Sequence, residues 1–140
     1  MIKICFVCTG NTCRSIMAER LMKKVLKDRK IEGIKVASRG LSATGENISE
    51  NAKIVLKEYR ATYANRKSIK LGKIDKNTLY ITMTANQKQA IKSKNVISFK
   101  ELIGFDILDP YGQDLEVYRK SAKEILSGIN ILIEKMELWR

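Results

Sequence analysis

The stretch Cys8-Thr9-Gly10-Asn11-Thr12-Cys13-Arg14-Ser15 places a thiol and an arginine within reach of one small anion. Ile2 to Val7, just before it, read as a short buried strand. Ser15 to Lys30, just after it, read as a helix with Met17, Leu21 and Val25 on one stripe. A strand-to-helix turn can aim its backbone N–H groups inward around a tetrahedral oxyanion. The helix N-terminus adds positive potential. Gly10 and Asn11 tolerate the left-handed backbone that a concave nest demands. Arg14 can fork two phosphate oxygens at once. A thiol facing that field is favoured as the thiolate, so Cys8 is the expected nucleophile. Ser15 can donate a hydroxyl hydrogen bond to the same sulfur. Thr9, Gly10, Asn11, Thr12, Cys13 and Ser15 are the expected substrate-binding residues of the loop.

A thiolate attacking phosphorus expels an anion unless a nearby acid protonates it. Asp109, in Asp109-Pro110-Tyr111-Gly112, is the candidate acid, and Pro110 biases it toward extended geometry. The competing reading is a turn-forming Asp that accepts backbone hydrogen bonds. Asp106 is a nearby rival. Tyr111 joins the substrate-binding set. Cys13 could resolve an oxidised Cys8 as a disulfide, or could simply pack the helix.

The composition narrows the field. The chain has 140 residues and no His. Ser-His-Asp and Cys-His pairs, phosphohistidine and His-ligated metals are thereby excluded. Three Cys cannot complete a four-thiolate zinc site and form no disulfide framework, so a reducing, cytoplasmic setting is expected. Cys5-Phe6-Val7-Cys8 has the form C-x-x-C, but residues three apart on a strand face opposite ways. No signal peptide is expected at the strand-like N-terminal stretch, and no apolar run approaches membrane-spanning length. Lys and Arg number 27 against 15 Asp and Glu, a net charge of +12 that attracts polyanions. A nucleic-acid-binding domain is one reading of that charge, but its cations are scattered and no aromatic platform interleaves them. No metal or cofactor is expected.

The elements that must hold these residues alternate. Further strands are expected at Ile34–Ser38, Leu79–Met83 and Val96–Phe99, and helices around Ala52–Tyr59, Ala85–Ile91 and from Leu115 to Met136. Gly40 to Gly45 read as loop, and Ser49 as an N-cap. Strands alternating with helices argue for one α/β domain over 1–140, a parallel sheet with helices on both faces. Ligands then bind beyond the carboxyl ends of the strands, which is where Cys8 to Arg14 fall.

These motifs resemble the low-molecular-weight protein tyrosine phosphatase family. The family's nucleophile loop has this Cys-x5-Arg-Ser form, and an Asp-Pro pair precedes its last helix. Met83-Thr84-Ala85-Asn86-Gln87-Lys88 also looks like the family's stretch after the third strand. The resemblance implies a flavodoxin-like four-stranded parallel sheet and metal-independent hydrolysis of phosphorylated proteins. It also implies that Asn11 holds the loop, with Ser38 as partner. The chain departs from the family at Ile16, where Pro is common, at Ala37-Ser38-Arg39-Gly40 in place of Ser-Ala-Gly, and at Asn65-Arg66-Lys67-Ser68 in place of a His-containing segment. Thr12 replaces the usual aliphatic residue, and Gly112 an aromatic. Both resemble the bacterial protein-arginine phosphatases of the family and imply phosphoarginine as substrate, with phosphotyrosine the alternative. Arsenate reductases share the loop type but need further cysteines, and none follows Cys13.

Overall fold

The computed structural model describes residues 1–62 and 65–138. In chain order the elements are β1 (Ile2–Cys8), α1 (Arg14–Asp28), β2 (Ile34–Gly40), α2 (Glu50–Glu58), β3 (Thr78–Thr82), α3 (Ala85–Gln89), β4 (Val96–Ser98), α4 (Phe99–Ile103) and α5 (Leu115–Leu138). The strands form one sheet in the order β2-β1-β3-β4, with every neighbouring pair parallel. The chain steps from β1 to β2 on one side, then crosses to β3 on the other. The reversal falls between β1 and β3, the place where open parallel sheets leave a crevice for ligands.

The alternation of side chains along β1 divides the core. Ile4, Phe6 and Cys8 face one large cluster with Met17, Leu21 and Met22 of α1, Val55 and Leu56 of α2, and Ile125, Ile129 and Ile133 of α5. Phe6 stacks on Phe99 of α4, with ring centroids 6.2 Å apart. The opposite face is more thinly covered: Cys5, Val7, Tyr80 and Ile91 pack with Leu41, Leu71 and Ile74. Cys5 and Cys8 therefore lie on opposite faces and do not converge. Burial pushes the Cys5 thiol up to about 11.

Some boundaries differ from the sequence expectation. β2 runs on through Arg39 to Gly40, because Gly40 pairs with Cys8 and its carbonyl accepts from Leu71 N. Helix α1 stops at Asp28, and Lys30 leaves it with a φ of 55°. The short α4 was not expected; Glu101 secures its start by accepting from Ser98 N at 2.7 Å. Ser49 caps α2 as expected, accepting from Ala52 N. Among the described residues no helix is long and apolar enough to cross a membrane.

Gly128 of α5 packs directly against the ring of Phe99. A Cβ there would lie 2.3 Å from Cε1 of the fully buried Phe99. Alanine in a helix interior is worth about 1 kcal/mol over glycine. Overpacking a filled core costs about 1–3 kcal/mol. We expect Gly128→Ala to destabilise the protein in a urea titration. A stabilised variant would mean that Phe99 can move aside freely.

Candidate active site

Strand β1 ends at Cys8, and the chain turns through residues 9–13 before α1 begins at Arg14. The carbonyls of Cys8 and Thr9 accept from Leu41 N and Ser42 N, both at 2.9 Å, so the start of the turn is tied to the end of β2. Gly40 sits against it so closely that a Cβ would lie 2.8 Å from Thr9 O. Only glycine fits there. Of the two residues that tolerate left-handed backbone, Asn11 adopts it, with φ 58°, and Gly10 does not. Asn alone supplies the kink because its short side chain bonds locally and tolerates that backbone.

Cys8 is buried, at 3% exposure, and its sulfur accepts the Asn11 backbone N–H at 3.2 Å. Ser15 Oγ lies 2.9 Å from it. Asn11 Nδ2 donates to Ser15 Oγ at 2.7 Å and to Ser38 Oγ at 3.0 Å, the partnership the resemblance implied. Helix α1 has no side-chain cap hydrogen bond and no acidic residue in its first turn. Its leading N–H groups and its dipole are therefore available to an anion. Thr12 does not cap the helix; its Oγ1 lies 3.6 Å from Cys13 Sγ.

Arg14 is 5% exposed, and its Nη1 donates to Ile107 O at 2.9 Å. Ile107 N in turn donates to Met83 O, so the segment between α4 and α5, tied to the end of β3, aligns the guanidinium. Arg14 Nη2 stands 3.8 Å from Asp109 Oδ2. Asp109 Oδ1 accepts from Tyr111 N at 3.0 Å. One Asp109 oxygen thus shapes the turn, while the other faces the arginine. Asp106 is engaged elsewhere, accepting from Ala85 N at 2.9 Å.

A cavity of about 290 Å³ gathers the expected set: Cys8 to Arg14 on its floor and Asp109 and Tyr111 on its wall. Ser15 lies beneath, reaching it through Cys8. Gly112 is absent from the lining. Its φ is 77°, so the turn itself demands glycine there. Glu46 and Asn47 complete the rim. The Ser68 hydroxyl and Thr44 hold the Glu46 carboxyl down to about 2, leaving it ionised.

Several supporting residues escaped the sequence reading. Gln87 Nε2 donates to Thr9 Oγ1 at 3.2 Å, while Gln87 Oε1 accepts from Met83 N and Thr84 N. The Thr84-x-x-Gln87 spacing is a capping box and was there to be read. Tyr118 of α5 touches Cys13 Sγ at 3.3 Å and accepts from Ser49 Oγ at 2.9 Å. Burial raises both groups, the Cys13 thiol above its ordinary value and the Tyr118 phenol to about 12. Ser49 N also donates to Thr12 O at 3.0 Å, so α2 is pinned to the loop. Glu19 and Arg66 form a charged pair behind Asn11. Among the described residues, no group of three His, Cys, Asp or Glu is placed to hold a metal ion.

Known proteins share this arrangement. The family described as low molecular weight phosphotyrosine protein phosphatase matches residues 3–138. A protein-arginine-phosphatase of Geobacillus stearothermophilus is 37% identical, over 96% of this chain and 96% of its own. A low molecular weight protein-tyrosine-phosphatase, PtpB of Staphylococcus haemolyticus, is 36% identical, over 89% of this chain and 93% of its own. The solved structure of a YwlE arginine phosphatase superimposes with a TM-score of 0.85 at 30% identity, over 97% of this chain and 96% of that one. That structure is of a Cys-to-Ser variant whose active-site serine is phosphorylated. By its length of match and its fold, the chain belongs to the low molecular weight phosphotyrosine protein phosphatase family, cysteine-based enzymes that hydrolyse phosphorylated proteins.

Proposed function

We propose that the chain, as one domain over 1–140, hydrolyses phosphoarginine in cytoplasmic proteins through a phosphocysteine at Cys8. The observation that carries the chemistry is the placement of the Cys8 sulfur, Arg14 and Asp109 around one cavity. The Cys8 thiolate attacks phosphorus while Arg14 and the loop N–H groups hold the three remaining oxygens. The bond from phosphorus to the guanidine nitrogen breaks, and Asp109 gives its proton to that nitrogen. Water then attacks the phosphocysteine, losing a proton to the Asp109 carboxylate. The P–S bond breaks, and Ser15 steadies the departing thiolate at the 2.9 Å contact. Phosphate leaves and the enzyme is restored. The charge on the transferring group is met by fixed donors, so the mechanism as drawn calls on no metal.

Relatives of nearly equal identity carry different substrate names, so the choice of arginine rests on the pocket. Thr12 lines it and does no capping, which frees its hydroxyl for a polar leaving group. The ionised Glu46 on the rim favours a guanidinium over an aryl ring. Gly112 lends no support, since its backbone accounts for it. Redox control through Cys13 is supported less. Its thiol is buried and raised, so it would trap an oxidised Cys8 slowly.

Two outcomes follow. Asp109→Asn should lose about 10²- to 10⁴-fold in turnover with poor leaving groups, the usual worth of a general acid, and far less with good ones. An equal loss across a series of aryl phosphates would remove Asp109 from that role. The wild type should prefer phosphoarginine peptides to phosphotyrosine peptides in kcat/KM. Thr12→Ile should move that ratio toward phosphotyrosine by about tenfold, the effect of one apolar contact worth about 1.4 kcal/mol. A wild-type preference for phosphotyrosine would overturn the arginine reading and leave the cysteine chemistry standing.

A further inference from the structure

Behind the loop lies a charged cluster that the reaction as drawn does not use. Glu19 sits on α1 at 3% exposure. Its Oε2 lies 2.9 Å from Arg20 Nε and 3.3 Å from Lys23 Nζ. Its Oε1 accepts from Ser38 Oγ at 2.9 Å and from Arg66 Nη2 at 3.2 Å. A carboxylate this buried persists only because it is paired and hydrogen-bonded. Arg66, 47 residues away in sequence, also donates through Nη2 to Ser38 Oγ at 2.7 Å and through Nη1 to Asn11 Oδ1 at 3.2 Å.

We infer that Arg66 is a positioning residue for the phosphate loop, fixing the Asn11 amide that aims Ser15 and the Asn11 N–H at the Cys8 sulfur. This rests on Cys8 being the nucleophile. The Asn11 amide is saturated. Nδ2 donates to Ser15 and Ser38, while Oδ1 accepts from Arg66 and from Ile69 N at 3.0 Å. Turning the amide over would set NH₂ against two donors. The orientation is therefore unique, and with it the left-handed Asn11 backbone that brings its N–H to sulfur. The Ile69 N–H already gives Oδ1 one partner, so a fold can survive loss of the arginine. What the arginine adds is a charge-assisted bond and a tie from Asn11 to Ser38 and Glu19. The cations Arg20 and Arg39 face the same group, and burial lowers it while Glu19 opposes. A guanidinium stays charged through all of this. The clamp holds its charge across the working pH range in a chain that has no His.

The test uses Arg66→Lys, Arg66→Gln, and Arg66→Gln joined to Glu19→Gln. Three quantities are read: kcat and KM for p-nitrophenyl phosphate, the rate of Cys8 alkylation by iodoacetamide at neutral pH, and the thermal midpoint. Arg66→Gln should lower kcat by about tenfold or more, as misplaced reacting groups do, and change the alkylation rate along with it. Arg66→Lys should recover part of the loss, since one ammonium cannot span three acceptors in the same geometry. In Arg66→Gln the Glu19 carboxylate keeps Arg20, Lys23 and Ser38 as partners, so the thermal midpoint should fall little while kcat falls. The double variant, which takes that carboxylate from Arg20 and Lys23, should lose further stability with little further change in kcat. A kcat that falls in step with the thermal midpoint across the three variants would overturn the inference and make the clamp structural only. A kcat within about twofold of wild type in Arg66→Gln would overturn it too. If iodoacetamide fails to inactivate the wild type, the fault lies with Cys8 as nucleophile and not with the clamp.

Discussion

A sulfur atom buried at the end of a strand, accepting a backbone N–H and touching a serine hydroxyl, is the contact on which the site depends. Those donors stabilise negative charge on sulfur. Both are placed by one residue, Asn11, whose backbone turns left-handed and whose amide reaches in four directions. Backbone in that region costs of order 1–3 kcal/mol and persists only where its surroundings over-determine it. Here they do. Ser15 belongs to α1, Ser38 to β2, and Arg66 and Ile69 to the segment beyond α2.

The fold supplies the rest as a consequence of parallel topology. The end of β1 lies beside the reversal in strand order, so the turn after it opens into a crevice. Helix α1 starts there without a capping side chain, which leaves its N–H groups and dipole to the ligand. The segment between α4 and α5 carries Ile107, which aligns Arg14, and then Asp109, which faces it. Helix α2 reaches the loop through Ser49, and α5 reaches it through Tyr118. Misplacement of any one of these would be felt at the sulfur, because a site of this kind works by fixed geometry.

What the sequence discloses is local, and what it hides is distant. The Cys8-to-Ser15 run, the Asp109-Pro110 pair and the Ser49 cap are short-range patterns with a physical reason at each position. The structure gathers Cys8 to Arg14 and Asp109 around one cavity and caps α2 with Ser49. Gly40 reads as loop yet ends β2, because its pairing partner, Cys8, is 32 residues away. Glu19 looks like a solvated charge on a helix, and nothing local announces that it is buried against Arg66. Gly10 and Asn11 are both permissive, so composition could not say which one turns left-handed. Gly112 shows the opposite hazard: a residue that suits a substrate argument is already required by its own turn.

The central claim is that the phosphoryl group passes through the sulfur of Cys8. Rapid acid quench of the enzyme during turnover of a radiolabelled phosphorylated substrate, followed by peptide mapping, tests it most directly. The account predicts label on the peptide holding Cys8, acid-stable but released by iodine, as an S-phosphate is. Label on any other residue, or steady turnover with no labelled protein at any quench time, would contradict it.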